Sequence, residues 1–191
     1  MMKKTIIAGL FTMATVGSAS VLAAGNPGES IGTGNMTVTG QLGSVSTCTV
    51  AFPGSVTMPT IEKSAYDAAT NLTAVVRTQT PGVTFTGCAG STVNVTFDST
   101  DNNGWSGNIL RVLTPGSTNT FVGLQLADDK NVAYWPGEST QNDGRMSKVD
   151  ITTDSHNIPI DVKAMRMSTA DLPADLSGQY SAQFVFNATY A

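Results

Sequence analysis

Apolar residues recur at every second position in many short stretches of this chain, and clusters of Gly, Pro, Asn, Asp and Ser separate them. A period of two is the signature of strands with one face against a core. It predicts an extended segment over 35–50, with Met36, Val38 and Leu42 on one side. A short strand at 55–58 should end at Pro59, and further strands are expected at 72–78, at 83–86 and through Val93, Val95 and Phe97. Downstream, strands are predicted at 110–113, 121–126, 132–135, 148–151 and 158–167, with a last one over 178–191. The stretch 61–70 reads as a loop with at most one helical turn, while 98–108 and 170–177 read as polar loops. Asn142-Asp143-Gly144 suits a hairpin turn, because Asn, Asp and Gly tolerate positive φ. Strands at this spacing without a long helix predict an all-β sandwich or barrel.

The two ends carry the cleanest patterns. Tyr180, Ala182, Phe184, Phe186, Ala188 and Tyr190 hold the even positions, and the odd ones between them are polar except Val185. One face of that strand is therefore apolar and aromatic. Near the other end Gly32, Gly34, Met36, Val38, Gly40 and Leu42 share one parity, and Thr33, Asn35, Thr37, Thr39 and Gln41 the other. Glycines on an inward parity leave a nearly bare stretch that another backbone can approach closely.

Composition agrees with a β protein: 13% of residues are charged, 40% are hydrophobic, and Thr, Ser, Asn and Val dominate over Lys and Glu. The formal charge is −4, and it falls to −6 without Lys3 and Lys4, leaving 8 basic against 14 acidic residues. Such a chain lacks the positive charge that phosphates demand, so nucleic acid is not an expected partner. The start has a basic Met1–Lys4, an uncharged apolar run to Val21, and small residues at Ala23 and Ala24. This is the layout of a secretory signal peptide. Cleavage after Ala23 places Val21 at −3, and cleavage after Ala24 places the larger Leu22 there, so 1–23 is the expected leader. The exported chain then keeps two cysteines, Cys48 and Cys88, expected to form one disulfide.

Catalytic chemistry finds little support. His156 is the single histidine, which argues against a triad with the usual base and against a two-histidine copper site. The stretch 98–104 is only faintly like a calcium loop, since Gly104 is not at the sixth position from either Asp. Asp128, Asp129, Asp171 and Asp175 read as exposed loop acids, and Met165 and Met167 as core. Trp105 and Trp135, beside polar loops, could stack on a sugar ring but are better read as packing residues. No enzyme activity, cofactor or metal is expected.

Taken together these residues resemble the pilin subunits of chaperone–usher fimbriae, over nearly the whole chain. The resemblance rests on the Sec-type leader, an alternating arm ahead of Cys48, and Cys88 closing Val83-Thr84-Phe85-Thr86-Gly87 forty residues on. It rests equally on Asn157-Ile158-Pro159-Ile160, on Gly178 fourteenth from the end, and on the penultimate Tyr190. The arm carries one residue more before Cys48 than the type 1 major pilin to which the chain is compared. The resemblance implies an immunoglobulin-like β-sandwich lacking its final strand, with 24–42 as donor-strand arm and 43–191 as pilin domain. It implies a groove beside the strand from Gly178 to Tyr190, filled first by a periplasmic chaperone that also contacts the carboxylate of Ala191. The arm of the next subunit, through Gly32, Gly34, Met36 and Val38, then replaces the chaperone, a known mode of β-strand addition. Implied partners are other copies of the chain, other pilins, the chaperone and an outer-membrane usher. The implied location is a fimbrium on the cell surface, reached through the periplasm. A minor or tip pilin, or an adhesin binding a host carbohydrate receptor, is the alternative. With room for one pilin domain, no lectin domain in front and an arm able to donate, the chain is expected to be a repeating structural subunit.

Overall fold

The computed structural model describes residues 30–33, 48–101, 104–113, 117 and 119–191. The expected leader and the arm positions Gly34, Met36 and Val38 lie outside them. The strands are β1 (Ser30–Thr33), β2 (Thr49–Ala51), β3 (Ala74–Gln79), β4 (Val83–Thr86), β5 (Ser91–Ser99) and β6 (Trp105–Ser106). They continue with β7 (Ile109–Val112), β8 (Val122–Ala127), β9 (Val149–Ile151), β10 (Ser155–Ile158), β11 (Asp161–Arg166) and β12 (Phe184–Tyr190). The helical elements are α1 (Lys63–Ala68) and a 3-10 turn (Thr140–Asn142). The fold is thus all-β, and its pairings are antiparallel. Three sheets run in the orders β1-β12-β5-β9, β10-β4-β2 and β3-β11-β8-β7-β6.

One apolar cluster joins all three sheets, an arrangement compatible with a β-sandwich. Val93, Val95 and Phe97 of β5 and Phe186 and Ala188 of β12 face Val162 and Ala164 of β11 and Leu124 and Leu126 of β8 within it. Alternation delivers this, since every second residue of a strand turns to the same side. Each fully buried side chain of this size contributes about 1.5–3 kcal/mol by removal from water. The expected Cys48–Cys88 disulfide is formed and ties the start of β2 to the turn before β5.

The stretch expected as one strand over 158–167 is two. Pro159 has no N–H to give a ladder, so the chain leaves β4 at Ile158 and joins β3 and β8 from Asp161. Asn157 Nδ2 donates to the Pro81 carbonyl at 2.8 Å and to Thr84 Oγ1 at 2.9 Å, fixing the corner. Gly82 opposite it has φ 75°, and a Cβ there would meet the Ile158 carbonyl at 2.3 Å.

Other expectations change as well. Residues 132–135 form no strand beyond a bridge from Ala133 to Ala127. Two main-chain bonds remain there, Tyr134 N to the Leu126 carbonyl and Asp128 N to the Val132 carbonyl, and side chains take further groups: Asn142 Oδ1 accepts from Trp135 N at 2.9 Å, and Arg145 donates to the carbonyls of Val132 and Ala133. Asn142-Asp143-Gly144 is not a hairpin turn. Asp143, at φ 50°, ends the 3-10 turn, and Gly144 follows at φ 74°. Asp128 is not an exposed loop acid: it is buried, 3.3 Å from Arg145, and accepts from Val132 N. Residues 55–58 form no strand, and the last strand begins at Phe184 rather than at Gly178. Trp105, inside the expected polar loop, packs edge-on against Phe97 and beside Phe184.

Candidate functional site

The unformed parts of the two expected strands lie on either side of one open groove of about 990 Å³. Its first wall is the irregular stretch Pro53–Ile61, where two prolines and Gly54 stand against regular pairing. Its second wall runs from Leu176 through Phe186. Leu124, Leu126, Ile160 and Val162 of the core lie beneath. Among the described residues the main chain makes no hydrogen bonds over 53–61 or from Ser177 through Ala182.

β12 is satisfied on its other side. Residues 184–190 pair with β5 from Ser99 to Val93, placing Phe186 opposite Phe97 and Ala188 opposite Val95. Gln183 N donates to Asp101 Oδ2 at 2.8 Å, and Ala191 N to the Thr92 carbonyl at 3.0 Å. On the side away from β5, β1 pairs antiparallel with the end of β12, Gly32 opposite Ala188 and Thr33 opposite Asn187. A segment of the expected arm therefore lies against the strand expected to receive one, within the same chain.

The even positions keep their parity along the whole segment. Phe186 and Ala188 are buried, Tyr180, Ala182, Phe184 and Tyr190 are half-buried, and Gly178 and Ala191 are exposed. Gly178 has φ 138°, a backbone state that side chains disfavour, so glycine suits this entry to the segment. Phe186 stacks on Phe52 at 6.0 Å and meets Phe97, while Phe184 meets Phe97 and Trp105. The Tyr180 hydroxyl is buried without a hydrogen-bond partner among the described residues, and burial raises its pKa. Neither wall carries a charged side chain, nor does the sequence from Ile31 to Cys48.

The far end of the groove is anchored by residues that sequence reasoning did not single out. Arg166, 5% exposed, donates to six carbonyls: those of Tyr66, Asp67 and Ala69 at the end of α1, and those of Ser168, Thr169 and Ala170. Its guanidinium also lies 4.9 Å from the centre of the Tyr66 ring. Leu172, on the groove, is gripped through its backbone, with its N–H on Asp67 Oδ1 at 2.8 Å and its carbonyl on Lys63 Nζ. Lys63 and the Leu172 N–H together hold the Asp67 carboxyl below its usual range.

No protein-family model and no curated protein matches the chain.

Proposed function

We propose that this chain is a structural subunit of a surface fimbria, folded with a periplasmic chaperone and polymerised head to tail by donor-strand exchange. The observation that carries this reading is the open groove between Pro53–Ile61 and Leu176–Phe186. Among the described residues the backbone groups of 53–61 and 177–182 are unspent, its floor is apolar, and its side-chain parity suits an incoming strand. Main-chain bonds along such an edge supply affinity, and alternate side chains entering the groove supply register. In this reading the domain is an immunoglobulin-like sandwich short of its final strand, and the arm around 24–42 is what each subunit offers the next. A contact that joins two different surfaces and does not close on itself generates an open filament.

Deleting Asn26–Val38 tests the proposal. The truncated domain keeps its groove and is expected to co-purify with the chaperone while fibre yield collapses. Loss of chaperone capture together with fibres would mean that the arm is an internal strand of its own domain, and would sink the proposal.

A further inference from the structure

We infer that Asp67 and Asp101 are positioning residues, two carboxylates that hold the second wall of the groove from either side of its unbonded stretch 177–182 and keep that wall ready to receive a strand. This rests on the reading of the groove as a receiving site and names what prepares it. One hold is at Gln183. β12 is laced to β5 from Tyr190 back to Phe184, which faces Ser99, and there β5 ends. The next main-chain donor of the segment has no strand to meet, and Asp101 takes its place: Oδ2 accepts from Gln183 N at 2.8 Å, while Thr100 Oγ1 donates to Gln183 Oε1 at 3.2 Å. Asp101 is itself oriented, since its N–H donates to Ser99 Oγ at 3.0 Å and Ser99 N donates to Asp98 Oδ1 at 2.8 Å. An ionised acceptor makes a hydrogen bond about twice as strong as a neutral one. One carboxylate thus carries the ladder a step past its last strand residue.

The other hold is at Leu172. Side chains of α1 take both of its main-chain groups, the N–H on Asp67 Oδ1 at 2.8 Å and the carbonyl on Lys63 Nζ. Lys63 and Asp67 stand four apart on the helix and so share a face, with Nζ 2.6 Å from Asp67 Oδ2. The helix gives firm support, because Arg166 donates to the carbonyls of Tyr66, Asp67 and Ala69 at its end. Among the described residues one main-chain bond, Leu176 N to the Pro173 carbonyl at 3.2 Å, follows before the unbonded stretch begins.

The two holds are alike in kind and unlike what lies between them. Residues 177–182 carry no charge, and on either side of them a main-chain N–H is bonded to a carboxylate oxygen. A receiving segment that wanders must be ordered when a strand binds, and that ordering subtracts from affinity. Fixing the segment on both sides in advance removes part of the cost. Gln183 is exposed, so its N–H turns to water if Asp101 is lost. A hydrogen bond exchanged for one to water changes stability little, so Asp101 serves the readiness of the wall more than the folding of the domain.

The test compares the full-length chain carrying Asp101→Ala with Asp101→Asn, which keeps an oxygen able to accept from Gln183 N. Three quantities are read: amide exchange over 177–183 in the purified chain, the urea midpoint of unfolding, and chaperone co-purification beside fibre yield. Asp101→Ala should speed exchange at Gln183 several-fold, leave the midpoint where it was, and cut chaperone capture and fibre yield several-fold. Asp101→Asn should recover most of each loss. Adding Asp67→Ala to Asp101→Ala should lower capture further, because it frees the other side. A midpoint that falls in step with capture, without recovery in Asp101→Asn, overturns the inference in favour of a purely structural role. Faster exchange at Gln183 with undiminished capture overturns it too, since the hold would then not matter to the groove. Absence of fibres and of chaperone capture from the unaltered chain overturns the donor-strand reading instead. In that case exchange and midpoint decide the two carboxylates: several-fold faster exchange at an unchanged midpoint supports them, and unchanged exchange overturns them.

Discussion

β11 and the segment from Gly178 to Tyr190 both alternate apolar and polar positions, yet they end in opposite conditions. β11 lies between β3 and β8, and its polar side chains are buried with partners from the same chain. Asp161 is paired with Arg77, Lys163 Nζ donates to Gln125 Oε1 and the Asn131 carbonyl, and Arg166 is spent on its six carbonyls. Burial, and after it the nearby Arg77, pushes the Lys163 ammonium below the usual lysine range. The C-terminal segment has one complete neighbour, β5, and among the described residues the main chain from Ser177 through Ala182 makes no hydrogen bonds and the buried Tyr180 hydroxyl has no partner. Buried polar groups are normally satisfied within the fold.

The sharpest way to break this contrast is to unsaturate the closed side. Arg166→Met removes the donors of several buried carbonyls at once, and each orphaned acceptor costs on the order of 1–3 kcal/mol. Chemical denaturation of the full chain should show a loss of about 3 kcal/mol or more. A loss under about 1 kcal/mol would mean that the carbonyls find water readily and that the closed side is less closed than drawn.

A smaller effect is expected from acid. The Asp67 carboxyl has a depressed folded pKa, so the unfolded chain holds its proton more tightly. Its contribution is present above about pH 4, the ordinary Asp value, and is lost as pH falls through the lower folded value. Asp67→Asn should therefore narrow the difference between unfolding midpoints at pH 6 and pH 3. An unchanged difference would show that the Leu172 anchor does not depend on the carboxylate.

The smallest effect belongs to Tyr180. Tyr180→Phe deletes the unpartnered hydroxyl and should leave stability unchanged or raise it by up to about 1 kcal/mol. A clear destabilisation would show that the hydroxyl has a partner after all, and would weaken the description of the open side.

The sequence reveals these two regions unequally. The even-position face from Tyr180 to Tyr190 is legible because side-chain parity is set by covalent geometry alone. Where pairing begins is not, since β5 ends at Ser99 and residues before Phe184 have no strand to meet. The same holds for 55–58, whose alternation is real but which pair with no strand among the described residues. Residues 132–135 differ from the expected strand for another reason: beside two main-chain bonds to 126–128, Asn142 and Arg145, seven to thirteen positions downstream, take some of their backbone groups. Asp128 is hidden by that same Arg145. Arg166 gave no local signal at all. It is an arginine between two methionines at a strand end, and its importance comes from α1, about a hundred positions earlier. The disulfide was legible because two cysteines allow only one pairing.

That disulfide also decides how the molecule would bear load. A pull on the chain just ahead of Cys48 would enter the domain there, where β2 offers only three paired residues before the chain becomes irregular. Loaded alone, so short a ladder would peel open one bond after another. The crosslink diverts the tension to Cys88, three residues ahead of β5, and β5 is laced to β12 across seven consecutive positions. There the load would meet seven consecutive paired positions in place of three. A forty-residue loop closed by one covalent bond thus serves as a mechanical bypass, carrying strain past the weakest ladder into a far longer one.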